Sequence, residues 1–210
     1  MKTPPQPRLP RATERAHDLV RSRLRPGDTA LDATVGNGHD TLFLAALVGE
    51  TGRVIGFDIQ TEAIDATRRR LEEAGLGARV ALHWRSHDSL AEVLVPDRKV
   101  HVAMFNLGYL PGGDKTVITR PETTIHALTE ILDRLADGGL VTVVVYPGHP
   151  GGDAEARAVV EFAGSLDRGI FTIVCPDALD PADHRPFLVV IERRESVSPR
   201  KGAKDRKNSH

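Results

Sequence analysis

The residues best placed to do chemistry are paired glycines and three acids, each set just after a short apolar run. The segment Asp32-Ala-Thr-Val-Gly36-Asn-Gly38-His-Asp-Thr41 leaves the run Thr29–Ala33 and opens a stretch of helical character. Gly36 and Gly38 let the backbone turn tightly and approach a ligand that a Cβ would hold off. A dinucleotide loop would place a third glycine where Thr41 stands, with a pyrophosphate over the helix N-terminus. Here Asp32 precedes the glycines, and its charge opposes a diphosphate. An acid-x3-Gly-x-Gly pattern suits a cationic, phosphate-free ligand, with Asp32 orienting an ammonium group directly or through water. Asp58 closes the next run and is placed to accept both hydroxyls of a ribose. Asp88, in Ser86-His-Asp-Ser89, follows the third run and is placed to accept from an adenine amino group. Any one of these acids reads equally well as a helix cap or loop carboxylate. Together with the glycine pair they point to a positively charged nucleoside such as S-adenosylmethionine. Thr34, Asn37, Gln60 and His87 lie in the same segments and complete the expected cofactor side.

A second group follows the fourth run, in Asn106-Leu-Gly-Tyr109-Leu-Pro-Gly-Gly-Asp114-Lys115. Asn106-Leu-Gly-Tyr109 is similar to the Asn-Pro-Pro-Tyr motif of nucleic-acid amino-methyltransferases. The Asn106 side-chain oxygen and a nearby backbone carbonyl can accept hydrogen bonds from an amine and aim its lone pair at a methyl group, and Asn106 also borders the cofactor. Tyr109 can stack on a flat base turned out of its neighbours. The competing reading is a glycine-rich turn with a half-buried tyrosine. Leu107, Gly108, Lys115 and Thr119 fall on the same loop, where Lys115 and Thr119 suit a phosphate or simply solvent. Tyr146-Pro-Gly-His149-Pro-Gly-Gly152 should face the same cleft, with Tyr146 at its wall. His149 could take a proton from an alkylammonium, because imidazole titrates near neutrality; a lone loop histidine is otherwise structural. Asn106, Tyr109 and His149 are the candidate catalytic residues, and Pro181–Phe187, just before the last strand, is expected to border the cleft as well.

These groups need a frame that brings loop ends together. Residues 11–25 read as a helix closed by Pro26-Gly27. Strands are expected at 29–33, 53–58, 80–84, 100–105, 140–146, 172–175 and 187–191. Helices are expected at 39–48, 62–74, 122–135 and 152–166, with a short one near 89–94, and Gly138-Gly139 is expected to stop the longest. Leu140–Tyr146 is the most β-branched run and should be central and buried. The last two strands leave no room for a crossover helix and should pair antiparallel. The implied fold is α/β: one doubly wound, Rossmann-like methyltransferase domain over 11–194, with a mostly parallel seven-stranded sheet and an antiparallel C-terminal strand. Ligands bind such sheets beyond the carboxyl ends of the strands, where every cluster above falls.

Composition limits the alternatives. The chain has 210 residues, 40% apolar and 27% charged, with a formal charge of −1, so bulk electrostatics makes no case for nucleic-acid binding. Arginines and lysines nevertheless crowd residues 8–25 and 193–207. Residues 1–10 and the basic tail 195–210 are expected to be disordered. The single cysteine, Cys175, excludes an internal disulfide and a cysteine-based zinc site, and reads as a buried small hydrophobe. No metal is expected. No apolar stretch approaches the ~20 residues of a membrane span, and the start lacks a signal-peptide core, so a cytoplasmic protein, monomeric or homodimeric, is expected.

Asp-Ala-Thr-x-Gly-Asn-Gly-His-Asp-Thr at 32–41, Gly-Phe-Asp-Ile-Gln at 56–60, the decapeptide at 106–115 and Tyr-Pro-Gly-His-Pro-Gly-Gly at 146–152 together resemble one family. It is the class I methyltransferase family long labelled rRNA methylases, which includes the MnmM-type tRNA methyltransferases. The resemblance runs over roughly residues 11–193 in motif order. It implies methylation of the aminomethyl group on C5 of the tRNA wobble uridine, with S-adenosylmethionine as donor and the anticodon stem-loop as partner. Val35 stands where family members commonly carry Cys, and Asp180–Phe187 departs from the family's form. Other readings are an rRNA or small-molecule amine methyltransferase, a non-catalytic RNA-binding relic, and an NAD-dependent oxidoreductase that Asp32 opposes.

Overall fold

Alternating β-branched runs and amphipathic segments fold as a layered sheet because each strand buries both faces only when helices cover them. The computed structural model describes residues 10–95, 97–110, 112–114, 116–176 and 184–196. In chain order the elements are α1 (Ala12–Arg23), β1 (Thr29–Asp32), α2 (His39–Leu47), β2 (Arg53–Asp58), α3 (Thr61–Glu73), β3 (Val80–Trp84), α4 (Leu90–Val93), β4 (Val100–Asn106), α5 (Pro121–Arg134), β5 (Leu135–Val145), α6 (Gly152–Ser165), β6 (Phe171–Val174) and β7 (Phe187–Arg193). Short 3-10 turns at Gly77–Arg79 and His87–Ser89 lead into β3 and α4. The seven-stranded sheet has the order β3-β2-β1-β4-β5-β7-β6. The pairs from β3 through to β5 are parallel, and β7 is antiparallel to both of its neighbours. Sheet order reverses between β1 and β4, which opens the crevice used by ligands in doubly wound sheets.

The two sheet faces bury separate cores. Val141, Val143 and Val145 pack with Leu128, Ile131 and Val159 under α5 and α6. Leu140 and Val144 turn the other way and pack with Val20, Leu44 and Leu71 under α1, α2 and α3. Alternation along β5 therefore serves both layers, as its β-branched composition requires. β3 closes one edge with Trp84, whose exposed ring is anchored by an indole N–H donated to the Ile59 carbonyl at 2.9 Å.

Two local expectations are corrected. α5 does not run to Leu135 and stop at the glycine pair: it ends at Arg134, and Leu135 is already extended, at φ −67° and ψ 131°. The pairing of β5 with β4 then jumps from Val100↔Leu135 to Val102↔Leu140, so Gly138, at φ +71°, and Gly139 sit in a bulge within the strand. Glycine suits a bulge for the reason it ends a helix, its tolerance of positive φ, and that ambiguity hid the difference. Cys175 lies just beyond β6, only partly buried against the core. The tails 1–9 and 197–210, together with Lys115, lie outside the described residues. Among the described residues no helix is long and apolar enough to cross a membrane.

Phe105, 1% exposed, fills the layer directly beneath the crevice and meets the His87 ring edge-on at 5.9 Å. Phe105→Ala is expected to cost ~3–5 kcal/mol in urea unfolding, because the cavity lies where strands and helices converge and cannot collapse.

Candidate active site

The turn after β1 is set by Asp32. Its carboxylate, 1% exposed, accepts the Thr34 amide at 3.1 Å and the Thr41 hydroxyl at 2.6 Å. One side chain thus ties the end of a strand, the glycine turn and the first turn of α2. The Val35 amide donates to the Phe57 carbonyl at 3.0 Å and the Ala33 amide to the Met104 carbonyl at 2.9 Å, so the turn is also pinned to both neighbouring strands. Gly38 caps α2 at φ +80°, and a Cβ there would lie 2.5 Å from the Thr67 hydroxyl.

Around this turn lies a cavity of about 790 Å3, lined from five strand ends. Beyond β1 come Thr34, Gly36, Asn37, His39 and Asp40, beyond β2 Asp58 and Gln60, and beyond β3 His87 and Asp88. Asn106, Leu107, Gly108, Tyr109 and Thr119 follow β4, and Tyr146 and His149 follow β5. Asp58, Asp88, the Asn106 loop and the His149 loop, far apart in sequence, therefore share one space. Asp32 and Gly38 do not line it: Asp32 stands behind the turn, and Gly38 packs on α3. His39, Asp40, Arg85, Arg120 and His184 line it in addition. His184 comes from the segment preceding β7, of which residues 177–183 lie outside the described residues.

Asp58 accepts the Gly36 amide at 2.8 Å on one oxygen and the Gln60 amide at 2.9 Å on the other. Asp58 lines the cavity, and burial raises the carboxyl's pKa against its backbone bonds from Gln60, Gly36 and Ile59. His87, 6% exposed, bonds the Ala33 carbonyl at 3.1 Å through Nδ1. A carbonyl only accepts, so Nδ1 carries the proton and Nε2 presents a lone pair, which has no partner among the described residues. Burial holds this imidazole below its ordinary pKa and keeps it neutral. An acceptor lone pair buried without a partner is costly unless a donor arrives, and an exocyclic amine is such a donor.

The acceptor side is held as tightly. The Asn106 amide donates to the Thr34 hydroxyl at 2.7 Å, which joins the end of β4 to the glycine turn. Gly108 and Thr119 clasp each other: the Gly108 amide donates to the Thr119 hydroxyl and the Thr119 amide to the Gly108 carbonyl, both at 2.9 Å. Tyr109, 39% exposed, stands edge-on to His149 with ring centroids 5.7 Å apart. His149 Nδ1 donates to the Pro150 carbonyl at 3.0 Å, leaving a buried Nε2 with no partner among the described residues.

Residues 54–192 match the family model described as "Putative rRNA methylase". The chain belongs to this rRNA methylase family. The family member is 38% identical over 195 residues to the Arabidopsis thaliana tRNA (mnm(5)s(2)U34)-methyltransferase, chloroplastic, a match that takes in 89% of this chain and 70% of the relative. A solved structure of the same description from Clostridium thermocellum superposes with a TM-score of 0.83 at 42% identity, over 89% of this chain and 99% of that one. A Streptococcus mutans structure in complex with SAH superposes with a TM-score of 0.78 at 37% identity, over 89% and 99%. This rRNA methylase family chain is an S-adenosylmethionine-dependent methyltransferase. Its residues suit that donor: Asp40, Asp58, Asp88 and the His87 imidazole line the cavity, and Gly36, at φ +51°, leaves the turn without a side chain toward the ligand.

Missing from the sequence reading was Asp40. It lines the cavity from the first turn of α2 and is bonded by His17 Nε2 of α1 at 2.6 Å, the His17 ring stacking on Phe43 with centroids 4.1 Å apart. A signal for it exists, since Asp40 lies within the glycine motif, but an acid on the first turn of a helix is common enough that its type alone does not single it out.

Burial, then the charges of Asp40 and Asp58, raise Asp32 from 3.8 to about 7, against the bonds from Thr41 and Thr34. A carboxyl raised on folding stabilises the fold while protonated, so this contribution is whole below 3.8 and is lost as pH climbs through about 7. Urea midpoints of the ligand-free protein are expected to fall across that window. Asp32→Asn should remove the slope, and an unchanged slope would show that Asp32 ionises normally.

Proposed function

We propose that this methyltransferase acts on an amine, the aminomethyl group at C5 of the wobble uridine in tRNA, with the anticodon stem-loop as its macromolecular partner. The observation that carries the reading is the Asn106–Thr34 hydrogen bond, which sets the acceptor loop directly against the cofactor turn within one cavity. The name of the Arabidopsis relative supports the same acceptor. S-adenosylmethionine, when bound, supplies a sulfonium-activated methyl group.

In this reading Asp58 accepts the ribose hydroxyls, and His87 Nε2 and Asp88 face the adenine amino edge. Asp32 and Asp40 give the methionine end a negative environment, Asp32 from behind the turn and Asp40 from the cavity wall. The Asn106 side-chain oxygen receives an N–H of the amine and turns its lone pair toward the methyl carbon. Tyr109 offers its face to the base, with its edge fixed by His149. An aliphatic amine with a pKa of ~10.4, like that of lysine, arrives largely protonated. The lone pair of His149 Nε2 takes up that proton, and burial beside a cation favours the neutral amine. Attack then forms an N–C bond as the S–C bond breaks, with positioning as the largest catalytic contribution.

Anticodon stem-loops bearing the aminomethyl group should accept methyl groups and those lacking it should not; equal transfer to both would remove this acceptor. Asn106→Ala is expected to leave cofactor affinity within ~3-fold and lower kcat by ~100-fold, read by calorimetry and by single-turnover methylation. Asp58→Ala should do the reverse, weakening cofactor binding by ~10–100-fold, the scale of hydrogen bonds to a charged group.

A further inference from the structure

Glu155, on the first turn of α6, is 2% exposed and does not line the cavity, yet it is bonded to residues that do. Its Oε2 accepts the Thr119 hydroxyl at 2.6 Å and its Oε1 accepts the Thr124 hydroxyl at 2.7 Å. Thr119 already receives the Gly108 amide on its hydroxyl oxygen, so its one proton is directed to Glu155. The result is a one-way chain: Gly108 N–H to Thr119 O–H to the Glu155 carboxylate. Gly108 sits at φ +119°, and a Cβ there would lie 3.4 Å from His149 Nε2. Asn106 and Tyr109 flank this glycine by two residues and one. A glutamate that merely stapled α6 to α5 would be satisfied through Thr124 alone, and would have no cause to reach the loop that carries the acceptor residues.

We propose that Glu155 is a positioning residue for methyl transfer: through Thr119 it fixes the Gly108 amide, and so sets where Asn106 and Tyr109 hold the acceptor, without touching either reactant. Burial pushes its pKa upward, the bonds from Thr119 and Thr124 oppose that rise, and the nearby ionisable groups are His149, which favours the carboxylate, and Glu122, which disfavours it. Its side-chain donors among the described residues are two hydroxyls, from Thr119 and Thr124, which suits a carboxylate whose purpose is geometric. Misplacement of a reacting group by about an ångström costs ~100-fold in rate, so loosening this clamp should appear in kcat and not in cofactor binding. The proposal rests on the acceptor reading above.

Three full-length variants test it. Glu155→Gln keeps the shape and one acceptor oxygen, Glu155→Ala removes both, and Thr119→Val breaks the chain midway. Each is compared by calorimetry with S-adenosylmethionine, by amide hydrogen exchange over residues 107–119, and by steady-state methylation of an aminomethyl-bearing stem-loop. Cofactor Kd should stay within ~3-fold while exchange at Gly108 rises and kcat falls ~10-fold in Glu155→Gln and ~100-fold in Glu155→Ala and Thr119→Val. Faster exchange at Gly108 with unchanged cofactor affinity, shared by Glu155→Ala and Thr119→Val, is what a general packing role would not produce. Unchanged kcat despite faster Gly108 exchange would overturn the proposal, as would a parallel loss of Tm, cofactor affinity and kcat. If Glu155→Ala does not fold, Thr119→Val decides, and wild-type Gly108 protection in that variant would also overturn it. A wild-type enzyme inactive on every stem-loop would sink the acceptor assignment, while Gly108 exchange would still report on the clamp.

Discussion

Everything at the carboxyl end of this sheet depends on one buried carboxylate taking two donors at once. Asp32 receives a backbone amide from the turn and a hydroxyl from α2, and these bonds decide where Thr34 and Gly36 stand. Thr34 in turn receives the Asn106 amide, and Gly36 donates to Asp58. A carboxylate only accepts, so it gathers donors from different elements to a single point, which no neutral side chain of its size does as well. The cost is a charge placed in a poorly solvated spot, and the shift of Asp32 toward neutrality measures that cost. A cationic ligand beyond the turn lowers it. The interaction that builds the pocket therefore also selects the sign of what enters.

The acceptor side follows a complementary logic. Its polar groups are mostly neutral, and His149 is an acceptor held in one tautomer by a backbone carbonyl, as His87 is on the cofactor side. Fixed neutral acceptors suit an amine that must lose a proton before it attacks, because they bind N–H groups without holding the nitrogen positive. Hydrogen bonds between loops, and not side-chain packing, keep these groups in register with the cofactor turn.

Much of this was legible from residue order. The places of Gly36, Asp58, Asp88, Asn106 and His149 around one cavity could be read because loops at the ends of parallel strands converge in any doubly wound sheet. Element boundaries held to within a residue or two where β-branched runs met turns, and failed at Gly138-Gly139, where a bulge and a helix stop use the same residue for the same reason. Glu155 was invisible because Gly-Asp-Ala-Glu-Ala-Arg reads as an ordinary solvated first turn. Its burial depends on how α6 meets α5 and the Thr119 loop, a packing fact with no periodicity to announce it. The seat of Asp32 behind the turn, with Asp40 in front, rests on the hand of the glycine turn, which sequence spacing does not record.

The direction of β7 has a consequence for how a large substrate meets this surface. Phe187 pairs with Val145 at the cavity end of the sheet, and Glu192 with Leu140 toward the opposite end. The chain thus passes the cavity at His184 and then travels away, covering ~24 Å of strand at ~3.4 Å per residue before its arginine- and lysine-rich terminus begins. A nucleobase in the crevice and a backbone phosphate near the start of that terminus would lie at opposite rims of the protein. A polyanion long enough to curve around the outer strands could engage both, whereas a free amine could engage only the crevice.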